Sequence, residues 1–203
     1  MNGDGYRVGV LGATGLVGTT ILELLADREF PAAEVVPFAS ERSVGREIEW
    51  GGGTLECRGL SEESIQGLDL VLSSAGGSVS AEWAPRFVEA GAVVVDNTSH
   101  FRMEEDVPLV VAEVNPDALE RHRGIIANPN CSTMQMVVAL KPLQDEAGIE
   151  RLVISTYQAV SGTGKAAVDE LLDQSRAILA GRSAEAAVYP QHLSSDVGRS
   201  IRG

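Results

Sequence analysis

The stretch Val8-Gly9-Val10-Leu11-Gly12-Ala13-Thr14-Gly15-Leu16-Val17-Gly18 decides the fold. Its first four residues form an apolar run of the length and composition of a buried strand. The next seven carry glycine at 12, 15 and 18, a G-x-x-G-x-x-G spacing. Residues 17–25 then repeat apolar side chains at helical spacing. A strand that passes through a glycine turn straight into a helix is a variant of the dinucleotide fingerprint. The glycines allow a tight turn and a close approach of backbone to a pyrophosphate, and the helix N-terminus offers N–H groups and a favourable dipole. The plain alternative is an ordinary strand-to-helix turn. The position directly after the first strand favours nucleotide binding, with Gly12, Gly15 and Gly18 as the loop's working residues.

Working outward, Val35-Val36-Pro37-Phe38-Ala39, Leu68-Asp69-Leu70-Val71-Leu72 and Ala92-Val93-Val94-Val95-Asp96 read as further strands. A helix around Trp83, Phe87 and Val88 separates the last two. Strands alternating with helices predict an α/β fold of Rossmann type, a doubly wound and mostly parallel sheet. Gly51-Gly52-Gly53, between Ile48 and Leu55, reads as a hairpin inserted in that scheme. After the short strand Ile125-Ile126-Ala127 comes a tight turn, Asn128-Pro129-Asn130. A helix over 132–144 follows, with apolar Met134, Val137, Val138 and Leu140. Residues 152–160 predict a long strand and residues 163–179 a helix. A domain boundary is placed near Pro129, giving a nucleotide domain over 1–129 and a second domain over 130–203.

The chain has 203 residues, 44% of them hydrophobic, enough to bury a sizeable core. A net charge of −13 argues against a nucleic-acid partner, whose phosphates need a basic surface. Cys57 and Cys131 match no disulfide framework or zinc spacing, and three scattered histidines add no metal signature. No apolar stretch approaches the length of a membrane span, and the first residues lack a basic region followed by an apolar run. A cytoplasmic, reduced setting is therefore expected, with no membrane partner.

The second strand ends in Ala39-Ser40-Glu41-Arg42-Ser43. Arg42 suits a 2′-phosphate, and Ser40 and Ser43 can donate to one, which points to NADP. Glu41 keeps an alternative open, because an acid at this place can hold a ribose hydroxyl. A solvated loop of mixed charge is the bland reading. Ser73-Ser74-Ala75-Gly76-Gly77 follows the third parallel strand, at the edge where such sheets bind ligands. Small residues there, Ser73, Ala75 and Gly76 among them, would let a nicotinamide approach, although a plain loop fits equally.

Asn130-Cys131-Ser132-Thr133 stands at the entry to a helix. A helix N-terminus stabilises a thiolate, and the same N–H groups with the Asn130 amide can stabilise an oxyanion on a carbon bonded to sulfur. A small buried core residue is the other reading of Cys131. Cys57, in the hairpin region, has no such setting and reads as core.

Five segments now resemble one family in order: GATGLVG at 12–18, ASERS at 39–43, DNTSHFR at 96–102, NPNCST at 128–133 and YQAVSGTG at 157–164. Together they resemble the aspartate-semialdehyde dehydrogenases over residues 6–190. The resemblance implies that Thr14, Gly15, Leu16 and Val17 bind the cofactor pyrophosphate, while Arg42 and Ser43 contact its 2′-phosphate. It implies that Arg102 binds the substrate phosphate, that Cys131 forms an acyl-enzyme and that Gln158 positions the substrate. Ser161 and Gly162 would complete the nucleotide site. The implied reaction is reductive dephosphorylation of L-aspartyl 4-phosphate, with NADP as cofactor, aspartate semialdehyde and inorganic phosphate as the other reactants, and a homodimer in the full-length family. Lys165 reads as a solvated helix charge.

The resemblance also implies a longer catalytic domain than this chain holds, so the second domain reads as an incomplete α+β catalytic domain. A general acid/base is needed, yet none of His100, His122 and His192 stands in a matching context. The segment 191–203 lacks the apolar run of a next core strand, which predicts a truncated or frame-shifted chain. Two alternatives stay open: another acyl-phosphate reductase, such as one acting on N-acetyl-glutamyl phosphate, and a nucleotide-binding fragment without turnover.

Overall fold

The computed structural model describes residues 5–188. Five parallel strands form one sheet in the order β2-β1-β5-β6-β7. They are β1 (Tyr6–Leu11), β2 (Ala32–Phe38), β5 (Leu70–Ser73), β6 (Val93–Asp96) and β7 (Ile125–Ala127). The chain steps from β1 outward to β2, then returns to the other side of β1 to place β5. That reversal opens the crevice in which open α/β sheets take their ligands. Pro37 falls on β2, an edge strand, where the missing N–H is tolerated.

Strand side chains alternate between the two faces. Val8, Val10 and Val35 pack with Leu22 and Leu25 of α1 (Leu16–Asp27). Phe38, Val71 and Val94 pack with Ala84 and Phe87 of α2 (Gly77–Glu89), where Phe38 and Phe87 meet edge to face at 5.6 Å between centroids. These are the two layers of a doubly wound fold.

The expected hairpin is present as β3 (Glu47–Trp50) and β4 (Gly53–Glu56), with Ile48 opposite Leu55. Its two turn residues, Gly51 and Gly52, both have positive φ, as a tight turn matched to strand twist requires. Trp50 closes it onto α1 by donating Nε1–H to the Leu22 carbonyl at 2.8 Å.

The chain divides into two compact units between Ser155 and Thr156. The first ends with α3 (Cys131–Ala147), the helix expected after Pro129. The long strand expected over 152–160 is absent. All residues from 151 to 159 are exposed and none lies in a strand. Apolar alternation marks a candidate strand, but a strand exists only when a neighbour completes its ladder. No described residue pairs with this segment. In the second unit, a 3-10 turn at Val160–Thr163 leads through Gly164 into α4 (Lys165–Leu179). Buried Glu170 of α4 accepts the N–H groups of Ala187 and Val188, which straps the following chain to the helix.

Candidate active site

Five loops leave the carboxyl ends of the five parallel strands, and their order across the sheet organises the site. With strands about 4.8 Å apart, the row from β2 to β7 spans roughly 19 Å.

At the outer end, β2 runs through Ser40 into a single 3-10 turn, Glu41–Ser43. Arg42 lies exposed in that turn and forms no ion pair among the described residues. Its guanidinium is thus uncommitted at the loop edge, as is the neighbouring exposed Glu41.

Next comes the glycine loop after β1. The N–H groups of Gly12 and Ala13 both donate to the Phe38 carbonyl at 3.0 Å, tying the loop to β2. Gly12 has φ +85°, and a Cβ there would lie 2.9 Å from the Ala75 backbone. It lets the loops after β1 and β5 pass against each other. A Cβ on Gly18 would lie 2.1 Å from the Gly12 carbonyl oxygen, so helix and turn can meet only at glycine. Gly15 is the extended residue before α1, and its carbonyl accepts the first helical bond, from Thr19 N–H. The preceding N–H groups, of Leu16, Val17 and Gly18, have no carbonyl one turn back to bond. Leu16 and Val17 are 53% and 38% exposed, unusual for apolar side chains beside a core. Thr14 is half-buried in the same turn.

The loop after β5 begins at Ser73, which is buried, with an Oγ that has no partner among the described residues. Ser74 donates both N–H and Oγ–H to the Leu11 carbonyl. Ala75 and Gly76 follow, and Gly76 has φ +97° immediately before α2. Space is open around Gly76, since a Cβ there would meet no atom within 4 Å.

After β6, fully buried Asp96 folds the chain back on itself. Its carboxylate accepts the N–H and Oγ1–H of Thr98, at 3.0 and 2.7 Å, and Thr98 Oγ1 accepts the His100 N–H. This local turn carries the loop round to Arg102. Arg102 donates Nε–H to the Asn128 carbonyl at 2.9 Å and Nη2–H to the Asn97 carbonyl at 3.1 Å. Asn128 in turn donates its side-chain Nδ2–H to Asn97 Oδ1 at 2.8 Å. Arg102 is therefore held to the loop after β7, three residues before Cys131.

That last loop runs Asn128-Pro129-Asn130 into α3. Cys131 is the first helical residue and is exposed, which removes the reading of it as a buried core thiol. Asn130 is the helix cap, and its Oδ1 accepts the Ser132 N–H at 3.1 Å. Cys57 is the buried one, and burial raises its thiol pKa above the ordinary value.

Gln158, Ser161 and Gly162 belong to the second unit. Gln158 is exposed and donates Nε2–H to Thr156 Oγ1 at 3.2 Å, while Ser161 and Gly162 fall in the 3-10 turn. Lys165 is exposed and paired with Asp169, a solvated helix charge as expected. His100 stands edge-on to Phe101, and His122 Nδ1 accepts the Gly124 N–H. His192 and the segment 191–203 lie outside the described residues. No group of metal-ligating side chains occurs among the described residues, and no described helix is long and apolar enough to cross a membrane.

The sequence names residues in all five loops but not the side chains that bind the last two loops together. Asn97, Thr98 and Asn128 were not selected, although an Asp-Asn-Thr-Ser run directly after a strand signals a side-chain-closed turn.

A glycine loop at the switch point of a parallel sheet, with an exposed thiol at a helix start on the same carboxyl edge, is the framework of a dinucleotide-binding fold. Residues 7–122 match the family described as semialdehyde dehydrogenase, NAD binding domain, and residues 140–201 match semialdehyde dehydrogenase, dimerisation domain. The chain belongs to the semialdehyde dehydrogenase family. It is 52% identical over 194 residues to an aspartate-semialdehyde dehydrogenase of Aquifex aeolicus, which covers 94% of this chain and 57% of that protein. A Bacillus subtilis relative of the same name is 49% identical, covering 93% and 54%. Among solved structures, aspartate semialdehyde dehydrogenase II of Vibrio cholerae, complexed with ASA, superposes with a TM-score of 0.85 at 50% identity, over 93% of this chain and 56% of that one. The Candida albicans enzyme with NADP superposes at 0.58 and 29% identity, over 71% and 48%. The chain thus spans a little over half the length of these curated relatives.

Proposed function

We propose that this chain carries the cofactor site and the nucleophile of an NADP-dependent aspartate-semialdehyde dehydrogenase, which converts L-aspartyl 4-phosphate to L-aspartate 4-semialdehyde. The observation that supports it is the order of the five loops. An arginine with no ion pair among the described residues comes first, then the N–H groups of the α1 start, then a small-residue gap, then an arginine tied to the thiol's own loop.

The glycine cradle fits a dinucleotide. Gly12 and Gly18 are places where any Cβ would strike backbone, so the turn can stay close to the helix start, where the N–H groups of Leu16, Val17 and Gly18 face an anion. In this reading Gly12, Thr14, Gly15, Leu16, Val17 and Gly18 hold the pyrophosphate. Ser40, Arg42 and Ser43 take the 2′-phosphate, and the gap at Ser73, Ala75 and Gly76 seats the nicotinamide. Ser161 and Gly162 complete the nucleotide site. NADPH, when bound, supplies the hydride that reduces the acyl group.

The chain's own residues do the rest. Arg102 binds the leaving phosphate with the donors it does not give to Asn97 and Asn128. Cys131 Sγ attacks the acyl carbon, phosphate departs, and a thioester forms on sulfur. N–H groups of the α3 first turn and the Asn130 amide stabilise oxygen charge at that carbon. Gln158 orients the substrate. Covalent attachment divides one difficult substitution into two easier steps. The domain boundary is proposed near Pro129, where the loop hands the cofactor edge to the nucleophile. We further propose a cytoplasmic homodimer with small-molecule substrates and no nucleic-acid or membrane partner.

The test is incubation with NADP, inorganic phosphate and L-aspartate semialdehyde, followed by reduced-cofactor absorbance. Turnover is expected, and it should vanish in Cys131→Ala. Arg42→Ala should erase the preference for NADP over NAD. Turnover of N-acetyl-glutamate semialdehyde instead would move the assignment to that acyl-phosphate reductase. A second reading has support from the histidines: His100 stands edge-on to Phe101 and His122 Nδ1 accepts the Gly124 N–H, so both are engaged within their own loops. In that reading the chain binds cofactor without turnover, and binding that persists with no change in absorbance would select it.

A further inference from the structure

We propose that Asn128 and Asn97 are positioning residues that aim the Arg102 guanidinium, so that anion binding and the Cys131 thiol are built as one rigid unit. The inference rests on the reading of Arg102 as the phosphate arm.

A guanidinium has five N–H donors in a fixed planar fork. Arg102 spends Nε–H and one Nη2–H, its side edge, on two backbone carbonyls. Those carbonyls belong to different loops, at Asn97 and Asn128. They hold a planar group in one orientation only if the loops keep a fixed separation. Two bonds fix it. Asn128 N–H donates to the Asp96 carbonyl at 2.8 Å, and Asn128 Nδ2–H donates to Asn97 Oδ1 at 2.8 Å. The second joins the side chains of the same two residues whose carbonyls seat the arginine.

The consequence is directional. With its side edge engaged, Arg102 presents its end edge, one N–H each of Nη1 and Nη2, as a two-donor fork matched to two oxygens of a tetrahedral anion. Carbonyls do not neutralise a cation, and Arg102 makes no ion pair among the described residues. Its charge therefore stays available. Asn128 and Cys131 are separated by at most about 10 Å of extended chain. Asp96 secures the upstream end by folding Thr98 back on itself, which holds the start of the loop that carries Asn97 and Arg102.

The test compares alkylation of Cys131 by iodoacetate, an anion, with alkylation by neutral iodoacetamide. Buried Cys57, 1% exposed, does not compete. The unaltered chain should favour iodoacetate through the nearby charge, roughly five- to tenfold at low salt, with inorganic phosphate slowing that reaction. Arg102→Ala should remove both effects. Asn128→Ala and Asn97→Ala should each bring the ratio close to that of Arg102→Ala, and the double variant should go no further, because both singles break one bond. Either single carries the test if the other fails to fold, judged by Trp50 and Trp83 emission. Asparagine variants that keep the full ratio, while Arg102→Ala loses it, overturn the inference alone. A full ratio in Arg102→Ala overturns the phosphate reading and the inference with it. An equal fall in both reagents' rates marks general loosening of the cysteine loop and also overturns it.

Discussion

Helices α2 and α3 follow parallel strands of the same sheet, yet they hold their places differently. The shorter, α2, buries Ser80, Ala84 and Phe87 against β5 and β6. The longer, α3, buries none of its residues, and Val138 and Leu143 on it are 39% and 58% exposed. A cap and local spacing therefore suffice to define α3, whereas α2 is fixed by packing. The same contrast separates residues 6–127, which hold the five hydrogen-bonded strands of one sheet, from residues 151–159, which are exposed throughout.

The comparison can be broken most directly by truncation. Phe87→Ala should cost about 3–5 kcal/mol in urea unfolding, whereas Leu143→Ala on α3 should stay within about 0.5 kcal/mol. Equal costs would show that α3 is packed after all. Gly18→Ala comes next, expected at about 2 kcal/mol or more, since the new Cβ meets a backbone oxygen rather than a yielding side chain. Dinucleotide binding by fluorescence should fall with it. Asn130→Ala removes the cap of a helix that has no fully buried side chain. A loss of about 1 kcal/mol is expected, and faster amide exchange should be confined to α3.

The smallest effect belongs to Cys57. Burial raises its thiol above the ordinary value of 9.0. An acid whose folded pKa is raised keeps its full contribution below the unfolded value and loses it as pH rises through the folded one. Unfolding midpoints should therefore decline above pH 9.0. Cys57→Ala should lack that part of the decline.

The sheet was legible because its signals are local. The glycine spacing, the β-rich runs and the paired turn glycines each declare their element within a few residues. The segment 152–160 misled for the opposite reason: its apolar pattern is real, but strand formation is decided by a neighbour that no local pattern reports. The site divides the same way. Gly12, Gly18, Arg42 and Cys131 announce themselves by type and place. Asn97 and Asn128 do not, because their bond joins positions 31 apart.

One further consequence lies at the carboxyl edge of the sheet. Ser74 N–H bonds the Leu11 carbonyl, Asn97 N–H the Ser73 carbonyl and Asn128 N–H the Asp96 carbonyl. Each loop is hung by its first amide from the strand beside it, like steps cut into one stair. Proline is thereby shut out of positions 74, 97 and 128 whatever the side chains do; position 98 is closed as well while its N–H donates to Asp96, and after β7 the proline stands at the next residue, Pro129. Drift in loop sequence can change what the edge binds, but the height of each step is set by the backbone.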